Sequence, residues 1–163
     1  MKSEIFVIDN FYDIPFEYHK SFLNNELKIT DDTVKRISNI LESDIKILEA
    51  SNNIQKEEDE ADVTAHIGSD WIAVIYLQLG YPSFGEFGMK FFSHIETGLE
   101  LYDPNIVDMV NVQNKTHWKE YGKIPAKYNR LVLFRSNRWH SYGKGFGDDL
   151  NTSMLYQKMI ING

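Results

Sequence analysis

The sequence predicts an α+β protein whose β part is a sandwich or jelly roll. Three observations carry this: helical spacing is confined to the first third, short strand-like runs recur through the rest, and turn residues separate most of those runs. The chain of 163 residues, with 42% apolar and 13% aromatic side chains, matches one compact domain spanning 1–163. Within it, residues 1–50 form a strand and helical flank, and 63–162 form the β core.

In chain order, Glu4 to Tyr12 reads as an opening strand. Asp13-Ile14-Pro15 places an N-cap and a first-turn proline before a helix that reaches about Lys28, with Phe16, Leu23 and Leu27 at near-helical spacing. Thr30-Asp31-Asp32 starts a second helix through Val34, Ile37 and Leu41. Alternation around Ile45 and Ile47 suggests a strand, and the acidic run from Asn52 to Asp62 reads as a solvated loop. Strands then follow at Val63–Ile67, Trp71–Leu79, Met89–Ile95, Asn129–Phe134, Trp139–Tyr142 and Thr152–Ile161. Tyr81 to Gly85 and Gly143 to Asp149 are turn chemistry, Pro104 to Asn114 is a candidate short helix, and His117-Trp118 falls in a polar connection.

Composition removes several function classes. A formal charge of −7 without a Lys/Arg stripe disfavours nucleic acid and anionic membrane surfaces as partners. The chain has no cysteine, which excludes thiolate catalysis and thiolate metal sites. No signal-like N-terminus or membrane-length apolar run is present, so the expectation is a soluble cytoplasmic protein acting on a small-molecule or protein substrate. Gly143-Lys144-Gly145-Phe146-Gly147 joins two strands and opens no helix, so it lacks the geometry of a phosphate loop. His140-Ser141 is no nucleophile–base pair, because adjacent strand residues face opposite ways. His19 belongs to the first helix and reads as structural.

Three histidines remain on strands: His66, His94 and His140. A non-haem iron site takes two histidines and a carboxylate on one face, with open positions for substrate and oxygen. The triplet His66-Ile67-Gly68 lacks a carboxylate two residues on, and Asp70 serves only if the turn curls it back. For His94, packing is the simpler reading.

The runs Trp71 to Leu77, Gly88 to His94 with Thr97-Gly98, Tyr128 to Phe134, Trp139-His140, Phe146-Gly147 and Leu155 to Lys158 resemble small phage and marine-bacterial proteins of the 2-oxoglutarate/Fe(II)-dependent oxygenase superfamily. The resemblance covers roughly Val63 to Asn162. It implies a double-stranded β-helix (jelly-roll, cupin-like) core, a dioxygenase reaction with Fe(II) and 2-oxoglutarate, and His66 and His140 as metal ligands. The chain also departs from that pattern. Gly68 stands where the family has its metal-binding aspartate, Met89 and Phe92 replace a threonine and a tyrosine, and Met154 stands where an arginine grips the distal carboxylate of 2-oxoglutarate. A methionine cannot replace a bidentate guanidinium.

Three readings stay open. In one, a hydroxylase with a divergent active site binds metal on His66, His140 and Asp70 and the keto acid on Lys158, Arg138 or Lys144; Lys158 shares strand parity with Met154 and Tyr156. In the second, the domain has no cofactor and binds a ligand or protein without catalysis. In the third, iron sits on two histidines with an open place at Gly68, as in halide-binding relatives, although the missing arginine argues against it.

Overall fold

The computed structural model describes residues 4–80, 85–105 and 117–163. In order, the elements are β1 (Ile5–Ile8), α1 (Pro15–Leu23), α2 (Asp31–Leu41), β2 (Lys46–Gln55), β3 (Trp71–Tyr76), β4 (Gly88–His94), β5 (Trp118–Pro125), β6 (Leu131–Arg135), β7 (His140–Ser141) and β8 (Met154–Asn162). They build two antiparallel sheets, one ordered β1-β6-β3-β8-β2 and a smaller one ordered β5-β4-β7.

Period-2 alternation on the larger sheet feeds two cores. Trp71, Ala73 and Ile75 of β3, with Leu131, Leu133, Met159 and Ile161, pack under the helices against Tyr18, Phe22 and Ile37. Ile72, Val74 and Tyr76 turn the other way and meet Met89 and Phe91 of the small sheet together with Phe134, Tyr142, Met154, Tyr156 and Ile160. All six residues of β3 are therefore buried, which is why the strand reads as a continuous apolar run. A third cluster of Tyr102, Trp118 and Trp139 covers the far side of the small sheet.

The helices begin differently. Thr30 caps α2 through a reciprocal box, with Thr33 N–H donating to its hydroxyl and its own N–H donating to Thr33 Oγ1. The expected Asp13 cap of α1 does not form: Ile14 is the N-cap residue, Pro15 opens the helix, and the Asp13 carboxylate binds Arg36 at 2.7 Å. His19 is structural as expected, its Nδ1 lying 2.6 Å from the Leu77 carbonyl.

The strand expected at Val63–Ile67 does not form, leaving only an isolated bridge between Thr64 and His140, and two further strand assignments are corrected. β2 continues to Gln55, through residues expected to be loop, because it pairs with β8 along its whole length. Gln55 ends that strand buried, donating to the Gly143 carbonyl and accepting from the Tyr156 hydroxyl. The polar connection at Trp118 is the edge strand β5. A bulge opposite Phe91 and Phe92 leaves Lys119, Glu120 and Tyr121 consecutively exposed, which hides the strand's alternation. The expected turn at Tyr81–Gly85 and the short helix at Pro104–Asn114 fall mainly on residues 81–84 and 106–116, outside the described residues.

Arg130 ties the strand ends together, its Nε donating to Asp9 Oδ1 at 2.6 Å and its Nη2 to Oδ2 at 3.1 Å. The hydrogen bond from Arg130 holds the Asp9 carboxyl below its ordinary value of 3.8. A depressed carboxyl pKa contributes stability above the unfolded value and loses it as pH falls through the folded one. Asp9→Asn should therefore flatten the fall of Tm with acidification below about pH 4. A thermal melt series across that range checks it, and an unchanged slope would remove Asp9 from the acid response.

Candidate ligand site between the sheets

β7 brings His140 inward. It pairs with Phe91 of β4, and its ring lies 4.8 Å from that of Phe134 and 5.4 Å from that of Tyr142. His140 is fully buried. Its Nδ1 lies 2.6 Å from the Arg138 carbonyl, and because a carbonyl only accepts, Nδ1 carries the proton. Nε2 is left as a lone pair with no partner among the described residues. That is the tautomer a metal-ligating histidine takes, oriented through its other ring nitrogen.

His66 arrives beside it by backbone pairing. Thr64 and His140 exchange hydrogen bonds of 2.8 and 2.9 Å, and His66 N–H donates to the Ser136 carbonyl. The His66 ring is half-buried with Nδ1 at 2.7 Å from the Ser69 hydroxyl. Burial pushes His140 down to about 4, opposed by the Arg138 carbonyl and assisted by Lys158 and His66. A histidine kept neutral in the fold protonates first in the unfolded chain, so stability should be lost as pH falls from 6.5 towards 4. His140→Asn, which keeps an N–H for the Arg138 carbonyl, should remove that part of the pH dependence. Identical slopes in denaturant titrations of both proteins would contradict it.

The remaining candidates separate clearly. Asp70 is exposed and faces away: its Oδ2 accepts from Gly163 N–H at 2.9 Å, and its backbone bonds Ile161 and Ser136. It straps the start of β3 to the end of β8, and among the described residues no group of three His, Asp or Glu side chains assembles for a metal. Gly68, at φ +91°, has open space where a Cβ would point. Arg138 is buried but directed to Tyr121 and to Glu100 at 3.7 Å, and Lys144 is exposed opposite Glu60. Lys158 is the one of the three cations directed between the sheets. It lies between Tyr156 and Ile160 on the inward parity of β8, with Nζ 5.1 Å from the Tyr142 ring centre. Met154 is fully buried in the same core.

Tyr142 joins this group through tertiary packing. Its ring stacks on Tyr156 at 5.5 Å, and its buried hydroxyl has no partner among the described residues. In the sequence it is one of four aromatics, with Trp71, Trp139 and Phe146, that could shape the mouth of the site, and its place two residues after His140 puts both on one face. On the opposite face of β7, Ser141 lines a separate cleft of about 370 Å3 with Lys90, Phe92, Trp118 and Glu120. That cleft does not reach His140.

No family model and no curated protein sequence matches this chain. Solved structures do. The iron-bound HygX of Streptomyces hygroscopicus matches with a TM-score of 0.60 at 7% identity, over 98% of this chain and 82% of that one. The α-ketoglutarate-dependent non-haem epimerase SnoN from nogalamycin biosynthesis matches at 0.61 and 13% identity, over 98% and 76%. HygX with nickel and 2-oxoglutarate bound matches at 0.53 and 9%, over 98% and 82%. The chain has their cupin-like fold. In this β-helix the two sheets enclose His140, Tyr142 and Lys158, while the helices lie behind the larger sheet.

The residues present match part of a non-haem iron site. Two imidazoles are available, one with a buried, unpaired Nε2. Among the described residues no third protein ligand joins them, because Gly68 has no side chain and Asp70 is engaged at Gly163.

Proposed function

We propose that the protein is a 2-oxoglutarate/Fe(II) oxygenase-like hydroxylase with a divergent active site, in which His66 and His140 hold the metal and the position beside Gly68 is left to an exogenous ligand. The observation that carries this reading is the Nε2 of His140, a lone pair sealed in the core with no donor to it among the described residues. A buried acceptor without a partner costs about 1–3 kcal/mol, and a metal at that nitrogen would offset the cost.

In such enzymes an Fe(II) and 2-oxo acid pair supplies oxygen activation. This chain's own contribution is positional. The Arg138 carbonyl fixes the His140 tautomer, Ser69 orients His66, and Phe134 and Tyr142 keep water from the His140 ring. Lys158 is the cation available for the acid's distal carboxylate in place of the arginine absent at Met154. It offers a point charge where a guanidinium would offer a fork.

A second reading, a metal-free ligand-binding domain, is favoured by the Lys158 ammonium, whose charge reaches His140 and opposes another cation there. Anaerobic titration of metal-free protein with Fe(II), and with Co(II) as a spectroscopic probe, separates the two. Saturable binding with imidazole-type Co(II) absorption supports the oxygenase reading, and its absence leaves the metal-free domain.

A further inference from the structure

We propose that the cleft on the outer face of the small sheet binds a linear aliphatic polyamine, an organic cation with an ammonium group at each end of a hydrocarbon chain. The inference does not depend on a metal at His140, because His140 and Ser141 are adjacent on β7 and face opposite ways.

The cleft holds about 370 Å3, enough for a small organic molecule. Four segments run side by side beneath it: residues 60–63, joined to the β7 segment through the Thr64–His140 and Glu60–Lys144 bridges, then β7, β4 and β5. With neighbouring strands about 4.8 Å apart, the outermost two are separated by about 14 Å. Glu60 and Asp62 stand at one side of this span and Glu120 at the other, with Ser141, Lys90 and Phe92 between them. Val63 and Trp118 add apolar surface at the two sides.

Charge sets the sign of the ligand. Three carboxylates, all exposed, line the cleft against one cation, Lys90, among the described residues. Lys90 Nζ lies 3.8 Å from Glu120 Oε1, so an ammonium of the protein's own already occupies the position a ligand's would take. The Ser141 hydroxyl serves the fold, donating to the Ala61 carbonyl and accepting from Gly143 N–H. The cleft therefore offers a ligand negative charge more than neutral hydrogen bonds. Its floor is aromatic: Phe92 is half-buried there, and Trp118 is held in place by Trp139 at 4.4 Å and His94 at 5.2 Å. An aromatic surface between separated carboxylates suits a hydrocarbon chain with ammonium ends, through apolar contact and cation–π attraction. A compact hydrated dication leaves that surface uncovered. The formal charge of −7 attracts the same class of ligand at long range.

The test titrates full-length protein calorimetrically with spermidine, using butylamine as a single-headed cation, octanediol as an uncharged chain and Mg2+ as a compact dication. Spermidine should bind one to one, butylamine roughly tenfold or more weakly, and octanediol not at all. Asp62→Asn and Glu120→Gln should each weaken spermidine roughly fivefold or more, with Tm little changed because both side chains are exposed. Lys90→Met should tighten binding, since it removes the internal competitor for Glu120. Absence of saturable spermidine binding overturns the proposal, as does wild-type affinity in both carboxylate variants. Displacement of spermidine by Mg2+ at equal charge concentration also overturns it, because that is the behaviour of an unstructured acidic surface. His140→Asn should bind spermidine as wild type does, and loss of binding there would move the ligand to the other face of the sheet. Failure of Co(II) binding and failure of spermidine binding are thus separate results.

Discussion

His140→Asn is expected to weaken metal binding by roughly a hundredfold while the protein still folds cooperatively. The asparagine amide can donate to the Arg138 carbonyl as Nδ1–H does now, at 2.6 Å, but it has nothing equivalent to the Nε2 lone pair. Alanine is a harsher probe. It opens a void beside Phe134 and Tyr142 and leaves the Arg138 carbonyl unpaired, which together cost about 3–5 kcal/mol. Measured by anaerobic Co(II) absorption and calorimetry, full-strength binding in a folded His140→Asn protein would remove His140 from the ligand set and with it the oxygenase reading.

Gly88→Ala should be strongly destabilising, costing about 4 kcal/mol or more. The backbone there has φ +139°, a region that side chains rarely adopt, and a Cβ would lie 2.1 Å from the Ile124 carbonyl oxygen and 2.6 Å from Ala126 N. These are backbone atoms of the paired strand, so no side chain can rotate away. Gly143 presses on the same spot, with its own Cβ position 2.6 Å from the Gly88 carbonyl oxygen. The start of β4, the end of β5 and the segment after β7 converge at this glycine, and β4 is the strand that pairs with His140. Urea denaturation should show a large loss of stability, and Co(II) binding should fall in parallel as β7 loses its seat. A Gly88→Ala protein with a Tm within a few degrees of wild type would contradict this reading of the junction.

Much of the fold was legible from local pattern. Turn residues and alternation located the strands around Trp71–Leu79, Asn129–Phe134 and Thr152–Ile161, and Thr30 marked the start of α2. β5 escaped because its bulge breaks the alternation that identifies a strand, and the last residues of β2 escaped because Asn52, Asn53 and Gln55 are polar residues held in place by pairing with β8. In the site, parity suggested that Lys158 could face inward with Met154 and Tyr156, and it does. The same sequence also offered Arg138 and Lys144 for the acid, without that parity, and Asp70 for the metal only if the turn curled it back.

By itself the sequence determined the residue inventory of this site: His66 and His140, no carboxylate at Gly68 and no cation at Met154. Period-2 spacing also determined which residues share a face. Only the tertiary structure decided which face is enclosed and what each polar group meets there. The partners are remote in the chain: Gly163 takes Asp70, Glu100 and Tyr121 take Arg138, and Tyr142 receives Lys158. A side chain's role in a β-helix depends on the strands brought beside it, and those contacts exist only once the two sheets have closed around His140.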